Sequence, residues 1–159
     1  MSLPREVGGA AFRGELQPVI KWLQKGGHVD ALEENDLGLL HRAAGSGHLR
    51  VVKELLQRGA SVDLRGAMDY TALIMAAGQG HHAMVRLLLE HKASIDLQNA
   101  VGSTALMHAA CEGHKECVQE LLAAGASTDL RSQDGFTALQ EAEDEGHTAI
   151  ANLLRQHDT

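Results

Sequence analysis

The residues best equipped for chemistry gather in one stretch: His108, Cys111, His114 and Cys117. Imidazoles and thiolates are donors to zinc, and His108 and Cys111 stand three apart, on one face of a helix. A second set is Asp30, Asp63, Asp96 and Asp129, carboxylates of the kind that trade protons or hold hard cations. The chain carries 10 His in all, so titratable groups are plentiful. Both sets meet the same objection. A reacting centre needs different groups converging on one point, and these recur singly at equal intervals.

His48, His81, His114 and His147 each follow a Gly at a spacing of 33 residues. A residue that recurs once per unit lies in a row, so these imidazoles are expected to make structural hydrogen bonds. His41 carries the same expectation, and His28, His91 and His157 have no partner legible from spacing. The Asp column is expected to close turns. Cys117 fills the apolar slot of Val51, Met84 and Ile150, which leaves the zinc set short of a ligand. Two Cys are too few for a disulfide framework. No glycine-rich phosphate loop, Ser-centred elbow or His-Glu-x-x-His pattern is present. The expectation is a protein without turnover, cofactor or metal.

The elements that position these residues form the same repeat. Leu40, Leu73, Leu106 and Leu139 share one column, and the pairs Ala43-Ala44, Ala76-Ala77 and Ala109-Ala110 another. Ala10-Ala11 and Gly14 keep the register upstream, so a fifth, degenerate unit opens the chain. Each unit predicts two short helices. In the third, Ala72, Leu73, Ala76 and Ala77 make a stripe of mainly small residues that Gly80 ends. Met84, Val85, Leu87, Leu88 and Leu89 then line a more apolar helix. Ala93 to Leu97 is too short for a helix and reads as an extended turn. Neither helix can bury its apolar face alone, so neighbouring units must complete one long core. The expected organisation is a single domain, 1–159, with units at 1–32, 33–65, 66–98, 99–131 and 132–159.

Composition agrees. At 159 residues and 44% hydrophobic content, one folded domain is expected, and 3% aromatic content excludes an aromatic core. A formal net charge of −7 repels nucleic acid and anionic membranes. The opening Met1-Ser2-Leu3-Pro4 has no apolar run, and Val85 to Leu89 is broken by Arg86, so neither a secretory signal nor a membrane span is expected. A monomer of the cytoplasm or nucleus follows as the expectation.

These units resemble the ankyrin repeat family, whose signature is Thr-Pro-Leu-His-x-Ala with a period of 33. The signature stands here as Thr71-Ala72-Leu73-Ile74-Met75-Ala76, Thr104-Ala105-Leu106-Met107-His108-Ala109 and Thr137-Ala138-Leu139-Gln140-Glu141-Ala142. The second unit keeps Leu40-His41-Arg42-Ala43 behind Gly38-Leu39. The resemblance implies an all-α solenoid of helix-turn-helix units with short hairpin-like turns.

Departures from the family pattern carry expectations of their own. Every family Pro is replaced, by Leu39, Ala72, Ala105 or Ala138, and Thr71, Thr104 and Thr137 are expected to cap the first helices instead. The Gly after the second helix is kept at Gly26, Gly59 and Gly125 but is Lys92 in the third unit. A left-handed Lys there costs roughly 1 kcal/mol. Glu143 and Arg155 replace the core Ala and Leu of their columns, as expected for a unit with a wet outer face. Gly8-Gly9 should weaken the first helix, and Trp22 takes the slot of Leu55 and Leu88, so it is expected in the core. In the family the position of the Asp column is usually Asn, which an asparaginyl hydroxylase can modify; here it is Asp in all four units.

By resemblance, a concave face is built from the turns before each first helix and from that helix's non-core positions. Its middle supplies Met68, Tyr70, Met75, Val101 and His108, and its C-terminal end supplies Glu112, Phe136, Glu141, Asp144 and Glu145. Met68, Tyr70, Met75 and Val101 fall in columns with no fixed residue type. They read either as a contact patch or as ordinary scattered surface apolarity. The resemblance implies a non-enzymatic scaffold that binds another protein or a peptide, with the acidic end suited to a basic segment. A targeting portion of a larger enzyme or effector, and an engineered repeat scaffold, are the alternatives.

Overall fold

Ten α-helices follow one another in five antiparallel pairs in a computed structural model that describes residues 1–159. The pairs are α1 (Arg5–Arg13) and α2 (Leu16–Gln24), α3 (Leu39–Gly45) and α4 (Leu49–Gln57), and α5 (Ala72–Gly78) and α6 (His82–Glu90). They continue with α7 (Ala105–Glu112) and α8 (Lys115–Ala123), then α9 (Ala138–Asp144) and α10 (Thr148–His157). The odd-numbered helices stack side by side as an inner row from α1 to α9. In the outer row α4, α6, α8 and α10 stack in turn. No helix is long and apolar enough to cross a membrane.

The inner helices start where the sequence places caps. The side-chain oxygen of Thr71 accepts from the Ile74 N–H at 3.2 Å, and that of Thr104 from the Met107 N–H at 3.2 Å. Thr137 accepts from the Gln140 N–H at 3.3 Å, and Gln140 returns the bond by accepting from the Thr137 N–H at 2.9 Å. Gly38 has no such side chain. His41 takes over: its Nδ1 accepts from the Gly38 N–H at 3.0 Å, and its Nε2 donates to the Leu64 carbonyl at 2.9 Å. One buried imidazole therefore starts α3 and ties it to the far end of its own unit.

Small residues set the packing distance. Ala43, Ala44, Ala76, Ala77, Ala109 and Ala110 are all buried between inner helices, where their short side chains allow close approach. Leu55, Leu88, Leu121 and Leu154 come in from the outer row, fully buried, and complete one continuous cluster from Leu3 to Leu154. Burial of each such Leu contributes about 1.5–3 kcal/mol.

The turns project as hairpin-like tips without forming a sheet; Leu32 and Gly38 make one isolated bridge. Within a tip, the Asn99 N–H donates to the Ser103 carbonyl at 3.0 Å. Between tips, the Ala100 N–H donates to the Met68 carbonyl at 2.9 Å and the Gln133 N–H to the Val101 carbonyl at 3.0 Å. Lys92 is left-handed at φ 67°, as its column requires. The third tip is strained further, because Met68 (φ 53°) and Asp69 (φ 59°) are both left-handed without being Gly.

Three expectations need correction. The Asp column does not close its own turns. Asp30 accepts from the N–H and hydroxyl of Ser61, and Asp63 from those of Ser94, at 2.6–3.0 Å; Asp96 accepts from the Ser127 N–H at 2.9 Å. These three carboxylates thus staple one unit to the next, and the Asp129 carboxylate makes no such bond. Trp22 is only half-buried, packed over Gly27 at the end of α2. Gly8 is also more than a weak point. A Cβ on it would fall 1.8 Å from Glu33 Oε1, so its bareness makes room for a buried carboxylate.

The outer face of the last pair is polar as expected. Exposed Glu143 and Arg155 form an ion pair with each other across α9 and α10.

Candidate binding groove on the inner face

Three columns of inner-helix residues point away from the core. The first reads Arg42, Met75, His108 and Glu141; the second Gly45, Gly78, Cys111 and Asp144; the third Ser46, Gln79, Glu112 and Glu145. Across α3, α5 and α7 all of these except Cys111 border an open groove of about 480 Å³. The second column explains it. Gly45 and Gly78 put no side chain into the space, whereas Phe12, one unit upstream, bounds it on one side. A Cβ on Gly45 would lie 3.1 Å from Met75 Cε, and one on Gly78 would lie 3.6 Å from His108 Cβ.

Tyr70 and His108 form one side. Their ring centroids are 5.3 Å apart with planes tilted by 55°, a geometry worth about 0.5–1.5 kcal/mol beyond burial. Burial pushes the His108 imidazole below its ordinary value, against the opposing pull of Glu112. Asn99 Nδ2 lies 3.4 Å from His108 Nε2. Asn99 Oδ1 accepts from the N–H groups of Val101 and Ser103 at 3.1 and 3.0 Å, so one buried amide shapes the tip and faces the ring.

Charge is distributed unevenly along the face. Arg42 is neutralised by Glu33, 2.6 Å away, whose side chain is only 5% exposed. At the other end, Glu112, Glu141, Asp144 and Glu145 have no ion-pair partner in the molecule. Burial raises the Glu141 carboxyl, and Asp144, Glu145 and Asp134 raise it further. The Cys111 thiol is raised by burial and then by Glu141, Glu112 and Glu145, which places all of these groups in one negative field.

Of the residues singled out in the sequence, the groove brings together Tyr70, Met75, His108 and Glu112. Glu141, Asp144 and Glu145 continue the same face. Met68, Val101 and Phe136 lie on the tips, 61%, 42% and 37% exposed, outside the groove. Sequence reasoning missed Gly45, Gly78 and Phe12. The available signal was a column of helix-surface positions holding Gly twice in succession after a Phe.

The apparent zinc set is dispersed. His114 Nε2 donates to the Gly78 carbonyl at 3.0 Å, and His108 packs on Tyr70. Cys117 is buried in α8, where burial pushes its thiol up to about 11. No three His, Cys, Asp or Glu side chains come together as metal donors.

Paired helices stacked in register, with a groove across the inner row, define a helical repeat protein. The family model for ankyrin repeats (3 copies) matches residues 8–99 and 91–159, and the chain belongs to that family. None of the curated proteins searched matches the chain. Ankyrin repeats are generally protein–protein interaction modules, and the fold is typically non-enzymatic.

Proposed function

We propose that this chain is a non-enzymatic interaction scaffold that binds a segment of a partner protein along its concave inner face. The observation that carries this is the groove hollowed by Gly45 and Gly78 beside Tyr70 and Met75. Interaction sites favour a preformed cavity with an aromatic wall and adaptable Met, because little entropy is lost on binding. The chain would act as a monomer in the cytoplasm or nucleus, and its charge of −7 favours protein over nucleic acid.

The test is affinity capture with mass spectrometry, run in parallel on the wild type and three variants. Met75→Ala and Gly78→Leu alter the groove, while Lys53→Ala changes an exposed site on the outer row. Partners held by the wild type and by Lys53→Ala, and lost from both groove variants, are expected. Identical partners on all four proteins would move the interface elsewhere.

A further inference from the structure

Within that reading, we propose that the groove takes a protein segment that carries an apolar anchor and, a few residues away, a Lys or Arg lying over the carboxylates of α7 and α9. The groove itself selects the first feature. Its floor is backbone at Gly45 and Gly78 and its sides include Met75 and Tyr70, so the complementary group is an apolar side chain.

Charge complementarity selects the second. The five ion pairs of the molecule engage Glu15, Glu33, Glu54, Glu120 and Glu143, and none reaches the inner face beyond α7. Glu112 borders the groove, and Glu141, Asp144 and Glu145 extend from it without a counter-cation. The chain supplies no cation to offset the mutual repulsion of these carboxylates, so positive charge from a partner would relieve it. At the opposite end Arg42 is already satisfied by Glu33, so it offers little to an anionic residue. The asymmetry therefore sets polarity: the anchor sits over α5 and the cation toward α9.

Spacing follows from helix packing. Adjacent helix axes lie about 8–10 Å apart, and an extended chain advances about 3.3 Å per residue. The cation should therefore stand about three to five residues from the anchor, in either chain direction, with the length of Lys or Arg absorbing the remainder. A second copy of this chain is a poor occupant, because its own inner face presents the same excess of carboxylates. Nucleic acid is excluded by the same charge.

Selection of short random peptides displayed on phage, against the full chain, tests the proposal. Selected sequences are resynthesised and titrated by fluorescence polarisation. Enriched peptides should combine an aliphatic or aromatic residue with a Lys or Arg about three to five residues away. Their affinity should fall about tenfold or more for the double variant Glu141→Gln with Glu145→Gln, and similarly when the peptide's cation is changed to Gln. It should also fall as salt rises from about 0.05 to 0.5 M. Gly78→Leu should abolish binding. Gly78→Ala, whose added Cβ makes only an ordinary contact with His108, should weaken it in a protein that remains folded. Peptides that need Gly78 yet ignore the carboxylates would overturn the cation and leave the groove standing. If no selected peptide is sensitive to either Gly78 variant, the groove falls as well.

Discussion

His81 Nε2 donates to the Gly45 carbonyl over 3.1 Å, joining the start of α6 to the end of α3 in the unit before. The same bond runs from His48 to Phe12, from His114 to Gly78 and from His147 to Cys111, at 2.8–3.0 Å. Gly47, at φ 78°, is needed beneath the ring, since a Cβ there would fall 2.8 Å from His81 Nδ1. The Gly-His pair is thus a joint between units, and two of its acceptors are the glycines that hollow the groove. His81→Ala should lower unfolding free energy by about 1–2 kcal/mol, through the lost bond and an unpaired carbonyl. Gly47→Ala should cost at least as much, because it adds left-handed strain to the clash. Urea denaturation checks both; midpoints unchanged from wild type would remove the joint.

Relief of strain gives a prediction of opposite sign. Lys92 is left-handed at φ 67°, in the column otherwise held by Gly26, Gly59 and Gly125. A Cβ added to any of those three glycines would meet nothing within 4 Å, so the column has room for a side chain and only the backbone objects. Lys92→Gly should raise stability by about 0.5–1 kcal/mol, the removed strain being offset in part by the greater freedom of Gly in the unfolded chain. A lower melting temperature for this variant would show that the Lys side chain contributes more than its backbone costs.

Mild acid should weaken the fold through its buried imidazoles. Burial holds the imidazoles of His41 and His108 below their ordinary 6.5. As pH falls through 6.5 the unfolded chain takes up protons that the folded chain refuses, so stability drops. Well above that pH both states are neutral and the contribution is constant. Unfolding free energy should therefore be smaller at about pH 5.5 than at about 7.5, and His108→Gln should flatten the difference. An unaltered slope in that variant would assign the effect to other groups.

The two thiols should differ in reactivity. Cys117 is fully buried with its thiol near 11, and Cys111 is half-buried and less strongly raised. A thiol-specific disulfide reagent at about pH 8 should label Cys111 slowly and Cys117 only on unfolding, since the thiolate is the reacting form. Chelator should leave the melting temperature unchanged, because His114 is committed to a carbonyl. Rapid labelling of both thiols, or a chelator-dependent drop, would contradict these assignments.

Partner recognition was legible in part. Tyr70, Met75 and His108 stand out in the sequence because their columns tolerate any type, and they meet in one groove. Met68, Val101 and Phe136 have the same signature yet sit on the tips. Column variability reports freedom from the core, which both places share, and cannot separate them. Glycines escape notice for the converse reason: a cavity is made by what a residue lacks, and only neighbours such as Met75 and His108 reveal the space.

Local rules that recur once per unit were fixed by the sequence alone. Period, helix pairs, Thr caps, the left-handed Lys92 and the polar Glu143 and Arg155 all follow from residue type and spacing, because each depends on backbone chemistry within a few residues or on repetition itself. What the tertiary structure decided lies beyond the local turn, mostly between units. It sent the Asp column to the next unit's Ser, turned His41 into a tie to Leu64, and seated the Glu33 carboxylate over Gly8. It also left Trp22 half-uncovered and gathered four unpaired carboxylates at one end of the inner face. Those outcomes depend on distances across a stacking interface, and spacing along one chain does not encode which of two nearby donors a carboxylate will reach first.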